Sequence, residues 1–338
     1  MDTINIKQLA AKLNLSKSTI SRAFRGHSDI SEKTKKRILD MAEKLNYQPN
    51  HLASNMREQK SKTIAVIVPE IANNFFSQAI HAIEGYAKQK GYHILIYVTD
   101  DDAEKEAAYI SHLSNGRADG IIMSVSGEGR KHQYLKKINQ QRLPIVFFDR
   151  VYEDVKAPKV TTNDYESSFL ATEHLIERGC RRIAYLVVNK KMSIGKTRMN
   201  GYMDALKKYH IPMNDHLIVD CCNTLELNRR ILLEFLAEEK PDGVFASVER
   251  LAFATYYSCY ELGISIPKDL KIISFSSLEI ATLLNPALST VTQPAFDLGH
   301  QAVSLLFELL EKKKNIQELK NKNIVLNSEI FKRKSTDV

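Results

Sequence analysis

The chain has 338 residues, 43% of them hydrophobic, and a formal charge of +8 at neutral pH. That is room for about two domains, or one domain and a small module, with ample apolar content for a core. No apolar run approaches the roughly 18–20 residues that span a bilayer, and Met1-Asp2-Thr3-Ile4 opens no basic-then-apolar leader, so a membrane or exported protein is disfavoured and a cytoplasmic one expected. The charge is unevenly spread: residues 1–62 hold nine Lys and four Arg against three Asp and three Glu, so the remainder carries only +1. A basic head on a near-neutral body is the footprint of a nucleic-acid-binding module joined to something else.

In chain order, Ile6, Leu9, Ala10 and Leu13 share one face of a short helix. Asn14-Leu15 breaks it, and Ser16 stands where an N-cap belongs for a second helix over Lys17–Phe24, with Ile20, Ala23 and Phe24 inward. Gly26 ends that helix. Ser31 caps a third, with Glu32 in its first turn, an apolar stripe of Ile38, Met41, Ala42 and Leu45, and Pro49 as its stop. Two short helices, a tight turn and a brace make a helix-turn-helix. Its second helix leaves Lys17, Ser18, Ser21, Arg22 and Arg25 mostly outward, side chains suited to phosphates and base edges. The plainer alternative is a solvated helical cap or a protein-docking unit.

Asn50 opens a brief helix over His51–Arg57, about two turns, too short to stand alone in water. Glu58–Lys62 reads as linker. From Thr63 the chain alternates strand and helix. Strands are expected at Thr63–Pro69, Tyr92–Val98, Gly120–Ser124 and Pro144–Phe148, with helices at Phe75–Lys90, Ala103–Leu113 and His132–Gln141 between them. The series restarts near Val160, with helices at Ser167–Arg178, Thr197–Tyr209, Leu227–Glu239 and Ala252–Leu262 and strands at Arg182–Val188, Leu217–Asp220, Gly243–Ser247 and Leu270–Phe275. Such a series implies parallel sheets covered by helices. Two of them imply two lobes with a ligand cleft beyond the strand ends.

Competing chemistries find little support. There is no Gly-x-Gly-x-x-Gly, P-loop or His-Glu-x-x-His, and Gly127-Glu128-Gly129 lacks a third glycine. Cys180, Cys221, Cys222 and Cys259 lack zinc-site spacing and read as reduced, buried, structural thiols. Asp100-Asp101-Asp102 reads as a helix-capping turn. No catalytic, cofactor or metal set is expected. A solute-binding protein feeding a transporter would need export, which the basic head and absent leader oppose.

The head residues Leu15-Ser-Lys-Ser-Thr-Ile-Ser-Arg22 and Leu45-Asn-Tyr-Gln-Pro-Asn50 carry a family resemblance, as do Asn73-Asn-Phe-Phe76, Ala118-Asp-Gly-Ile-Ile122, Phe148-Asp-Arg150 and Leu288-Ser-Thr-Val-Thr-Gln-Pro294 in the body. Over essentially its full length the chain resembles the LacI/GalR family of bacterial transcription regulators. The resemblance implies an all-α helix-turn-helix head plus an α/β body of two Rossmann-like subdomains of periplasmic-binding-protein type. Residues 1–49 would bind DNA, 50–62 would form hinge and linker, and 63–338 would bind effector and dimerise. The first lobe would take about 63–162 and 292–322, and the second about 163–291 and 323–333, with crossings near Thr162-Asn163, Thr290–Thr292 and Asn323. The implied function is a sequence-specific regulator, in most members a repressor, that is switched by a small molecule held between the lobes. It would work as a homodimer, in some members a tetramer, on a pseudo-palindromic operator.

By the same resemblance Lys17, Ser18 and Arg22 would meet base edges, and Ser16, Thr19, Ser21 and Asn50 phosphate. Ala53 would pack between paired hinge helices, and Met56 would stand where most relatives insert a leucine wedge. The effector would meet Asn73, Phe75, Phe76, Ser124, Ser126 and Asp149 from the first lobe, and Arg198, Val248, Glu249 and Ser276 from the second. Relatives commonly hold sugars or purines there, usually with Asn-Asp near 248–249 and Gly-Phe-Asp-Asp near 274–277. This chain has Val248-Glu249 and Ser274-Phe-Ser-Ser277. Fewer acids beside a retained Arg198 favour a sugar acid or sugar phosphate over a plain sugar. The alternative is that Ser276 still binds hydroxyls and the ligand is neutral.

Overall fold

A computed structural model describes the chain except for residues 1–3, 25–26, 48–59, 128–131, 133, 136–142, 189, 223, 312–315 and 338, and the side chains of 316–317. It forms two compact units, 1–61 and 62–338.

In the first unit α1 (Ile6–Leu13) begins with a capping box, in which Asn5 accepts from Lys7 and Gln8 N–H groups and the Gln8 side chain accepts from Asn5 N–H. It ends where Asn14 turns left-handed. The Ser16 hydroxyl caps α2 (Lys17–Phe24) by accepting from Thr19 N–H at 3.0 Å. Ser31 caps α3 (Glu32–Lys44) in the same way, through Thr34 N–H. Leu9, Leu13, Ile20 and Ile38 are fully buried where the three helices meet. The expected hinge helix, with Asn50, Ala53 and Met56, lies outside the described residues.

The second unit holds two six-stranded sheets. The first lobe contains β1 (Thr63–Val68), α4 (Asn74–Gln89), β2 (His93–Val98), α5 (Ala103–Leu113), β3 (Gly120–Met123), β4 (Ile145–Phe148) and β5 (Lys159–Thr162). The second contains α6 (Asp164–Glu177), β6 (Ile183–Val187), α7 (Ser193–Lys208), β7 (Ile218–Asp220), α8 (Leu225–Glu239), β8 (Gly243–Ala246), α9 (Glu249–Leu262), β9 (Lys271–Phe275) and β10 (Ser289–Thr292). The chain then returns to the first lobe for α10 (Ala295–Leu310), α11 (Ile316–Lys320) and β11 (Asn323–Leu326), and crosses once more for β12 (Glu329–Phe331). The helix expected over His132–Gln141 lies mostly outside the described residues.

Sheet order is β11-β5-β4-β3-β1-β2 in the first lobe and β12-β10-β9-β8-β6-β7 in the second, parallel throughout except the antiparallel β10–β12 pair. Central strands such as Ile64–Val68 are buried on both faces, which is why they read as unbroken apolar runs. Two expectations change. Asn323–Leu326 pairs in parallel with Lys159–Thr162, so it belongs to the first lobe, and the third crossing follows Leu326. Of the expected second-lobe stretch 323–333, only β12 joins the second sheet. Cys222 is exposed, unlike the other three cysteines.

Candidate DNA-reading face and ligand cleft

On the head, Ser16, Lys17, Ser18 and Arg22 are exposed, and Thr19 and Ser21 partly so. Helical spacing sets them opposite the buried Ile20 and Ala23. The Ser16 hydroxyl lies 2.6 Å from that of Ser18 and 2.8 Å from that of Thr19, so these three are preset as one polar cluster. Arg22 donates from Nη2 to Asp29, in the turn before α3.

In the body, a cleft of about 730 Å³, counting its open mouth, lies between the lobes. Its walls come from segments that follow strands: Glu70 and Asn73 after β1, Asp149 and Arg150 after β4, Ser247 and Val248 after β8, Ser276 after β9 and Gln293 after β10. This is the carboxyl-end crevice of open α/β sheets, here doubled. Asn73 caps α4 by accepting from Phe75 N–H at 2.9 Å, which sets Phe75 and Phe76 into the wall edge to face, 5.2 Å between centroids. Asp149 sits in a left-handed turn (φ 60°) that ends β4 and aims its carboxyl at the cleft. Burial raises its pKa to about 6, with Arg150 and Arg198 pulling the other way.

Of the ten effector residues expected from sequence, Asn73, Phe75, Phe76, Asp149, Arg198, Val248, Glu249 and Ser276 line this cleft. Ser124 and Ser126 do not. Ser124 is fully buried behind Asp149 and donates to it at 3.4 Å. Ser126 pairs with Thr99, and its N–H donates to the buried Glu106 at 2.6 Å. Each lies past the end of β3, where the chain has turned into the lobe interior.

Arg198 lines the cleft and is also held from within the second lobe. Its Nε donates to Asp164 at 2.7 Å, its Nη1 to Ser247 O at 2.8 Å, and its guanidinium stacks 3.6 Å over the Phe275 ring. Both members of the ion pair are about 6% exposed, so the charge is already matched inside the second lobe. The other cleft guanidiniums are matched too: Arg250 with Glu70 across the lobes, and Arg150 with Asp101 at 2.5 Å. Glu249, its pKa raised by burial, accepts from the Ser276 hydroxyl at 2.9 Å. Sequence reasoning missed Glu70, Arg150, Asp164, Arg250 and Gln293. The first two follow strands directly, so the strand-end rule could have found them. Asn74 and Gln78 also donate from the first lobe to Ser277 O in the second, the latter at 3.3 Å.

A small helical reading head and a two-lobed α/β body with a polar cleft define a ligand-responsive regulator. Residues 5–50 match the signature described as bacterial regulatory proteins, lacI family. Residues 61–329 match that of periplasmic binding proteins and the sugar binding domain of the LacI family. The chain is 30% identical over 310 residues to a ribose operon repressor of Halalkalibacterium halodurans, covering 91% of each chain. It is 27% identical over 311 residues to catabolite control protein A of Priestia megaterium, covering 91% of this chain and 93% of that one. Among solved structures, the lac repressor dimer bound to operator and an anti-inducer superposes with TM-score 0.86 at 20% identity, covering 99% of both chains, a likeness of fold. A ribose-bound regulator of Enterococcus faecium superposes with TM-score 0.71 at 27% identity, covering 81% of this chain and 98% of that one. The chain belongs to the LacI family of DNA-binding transcriptional regulators. Among the described residues no helix is long and apolar enough to cross a membrane.

Proposed function

We propose that this protein is a cytoplasmic, non-enzymatic repressor whose grip on a pseudo-palindromic operator is set by a neutral, polyhydroxylated small molecule, a sugar, held between the lobes. The observation that carries the ligand class is the pairing of Arg150, Arg198 and Arg250 with Asp101, Asp164 and Glu70. An anionic ligand would have to displace a carboxylate already in place. Asp149, Glu249, Asn73 and Ser276 offer the acceptors and donors that hydroxyls use, beside the Phe75 and Phe76 rings. This reverses the preference for a charged sugar drawn from sequence. The ribose operon repressor and the ribose-bound regulator are named for a neutral sugar, which supports the same class.

In this reading the ligand binds the two lobe arrangements unequally, and the difference reaches the operator through residues 50–62 acting as hinge and linker. The working unit is a homodimer. The edge strand β2 exposes Leu95 and Ile96 on the first lobe, and Leu283 is 79% exposed on the second, apolar surface that a second copy would cover. Calorimetry with matched pairs, a sugar and its uronic acid or phosphate, tests the ligand class. Tighter binding of the neutral member is expected. Tighter binding of the acid overturns it.

A further inference from the structure

Arg22 and Asp29 are seven residues apart, one near the end of α2 and the other in the turn before α3. Their side chains remain 51% and 43% exposed while paired. So exposed a pair contributes little to folding. Its effect falls on where the guanidinium points and on the field around it. A guanidinium has five N–H donors in a rigid plane. Asp29 engages Nη2 and restrains that plane, leaving further donors for a guanine O6/N7 edge. A carboxylate beside the reading face also repels phosphates, the groups on which an unrestrained arginine would settle regardless of sequence.

We infer that Asp29 is a positioning and specificity residue for operator reading: its carboxylate presents Arg22 to a base edge and disfavours its use on the phosphate backbone. This rests on α2 being the base-contacting helix. The experiment selects an operator from random duplexes with the intact protein. Wild type, Asp29→Asn, Asp29→Glu, Arg22→Ala and the double variant Arg22→Ala/Asp29→Asn are then titrated against that operator and a random duplex over a range of salt.

Asp29→Asn is expected to bind random duplex several-fold more tightly and to lower the operator-to-random ratio about tenfold. The lost preference should fall at the base pair that Arg22→Ala relaxes. Asp29→Glu should keep most of the ratio, and Asp29→Asn should not alter base preference further once Arg22 is gone. An unchanged thermal unfolding midpoint for Asp29→Asn separates these effects from loss of fold. A wild-type ratio and base preference in Asp29→Asn, while Arg22→Ala lowers both, overturns the inference alone. An unchanged ratio in Arg22→Ala overturns the assignment of α2, and the inference with it.

Discussion

Asp149 is placed where burial and charge oppose each other. Removal from water favours its neutral form, and Arg150 and Arg198 favour the anion, leaving a pKa of about 6 against an ordinary 3.8. The folded protein therefore keeps this proton up to about pH 6, while the unfolded chain releases it near pH 4. Stability from this group falls as pH rises through that window and is recovered below it. Asp149→Asn should be stabilising at pH 7, by up to about 3 kcal/mol for two pH units, with the gain vanishing near pH 4. Denaturant unfolding of both proteins at pH 4.5 and 7 would show it. The same variant should weaken binding of a hydroxylated ligand, because an amide accepts less well than a carboxylate. His174, buried against Thr336 and held to a pKa of about 4 by desolvation, contributes the opposite slope, so the comparison must be made between variants at each pH. Arg198→Ala should leave Asp164 buried without its partner and destabilise the body by about 3–5 kcal/mol. A thermal melt of that variant matching wild type would contradict a structural role for the Arg198–Asp164 pair. The sequence shows an arginine at 198. It does not show that its counter-charge lies 34 residues earlier on another helix.

Elements with a local signature were legible, and those defined by distant partners were not. The run from Ile64 to Val68 and the Ser16 and Ser31 caps of the head can each be read within a few residues. The sheet that Asn323–Leu326 joins cannot, because its register with Lys159–Thr162 is set by the whole lobe. Close helix packing lies between these cases. A Cβ on Gly299 of α10 would lie 2.3 Å from Ala79 O on α4, and one on Gly201 of α7 would lie 2.3 Å from Tyr165 O on α6. Gly299 and Gly201 stand out in sequence only as glycines inside helical patterns, which usually cost stability. Gly299→Ala and Gly201→Ala should each push two helix backbones apart and cost about 1–3 kcal/mol or more. Gly85→Ala on α4, where no atom lies within 4 Å of an added Cβ, should instead be neutral or stabilise by up to about 1 kcal/mol. Urea midpoints of the three variants decide this, and equal shifts would refute the packing account.

Across the whole molecule, the two lobes are tied by Glu70–Arg250 and by Asn74 and Gln78 on Ser277. Glu70→Gln should loosen this closure, enlarging the radius of gyration of the ligand-free protein in X-ray scattering and weakening ligand affinity. An unchanged scattering profile would show that packing alone holds the lobes. Leu283→Asp should give monomers in analytical ultracentrifugation and lose operator affinity while still binding ligand. A dimer that persists would move the interface elsewhere.

The final segment of the chain finishes both lobes. β11 forms an edge of the first sheet and β12 an edge of the second. Beyond them Ser335 and Thr336 are fully buried: the Ser335 hydroxyl accepts from Ser289 N–H at 2.7 Å and donates to Ile272 O at 2.6 Å. During synthesis the head would leave the ribosome with its own complete core, and the body could not close either sheet until these residues followed. A chain stopped near residue 320 would thus retain a formed head on an unfinished sensor, and should contend for operator half-sites without answering to ligand.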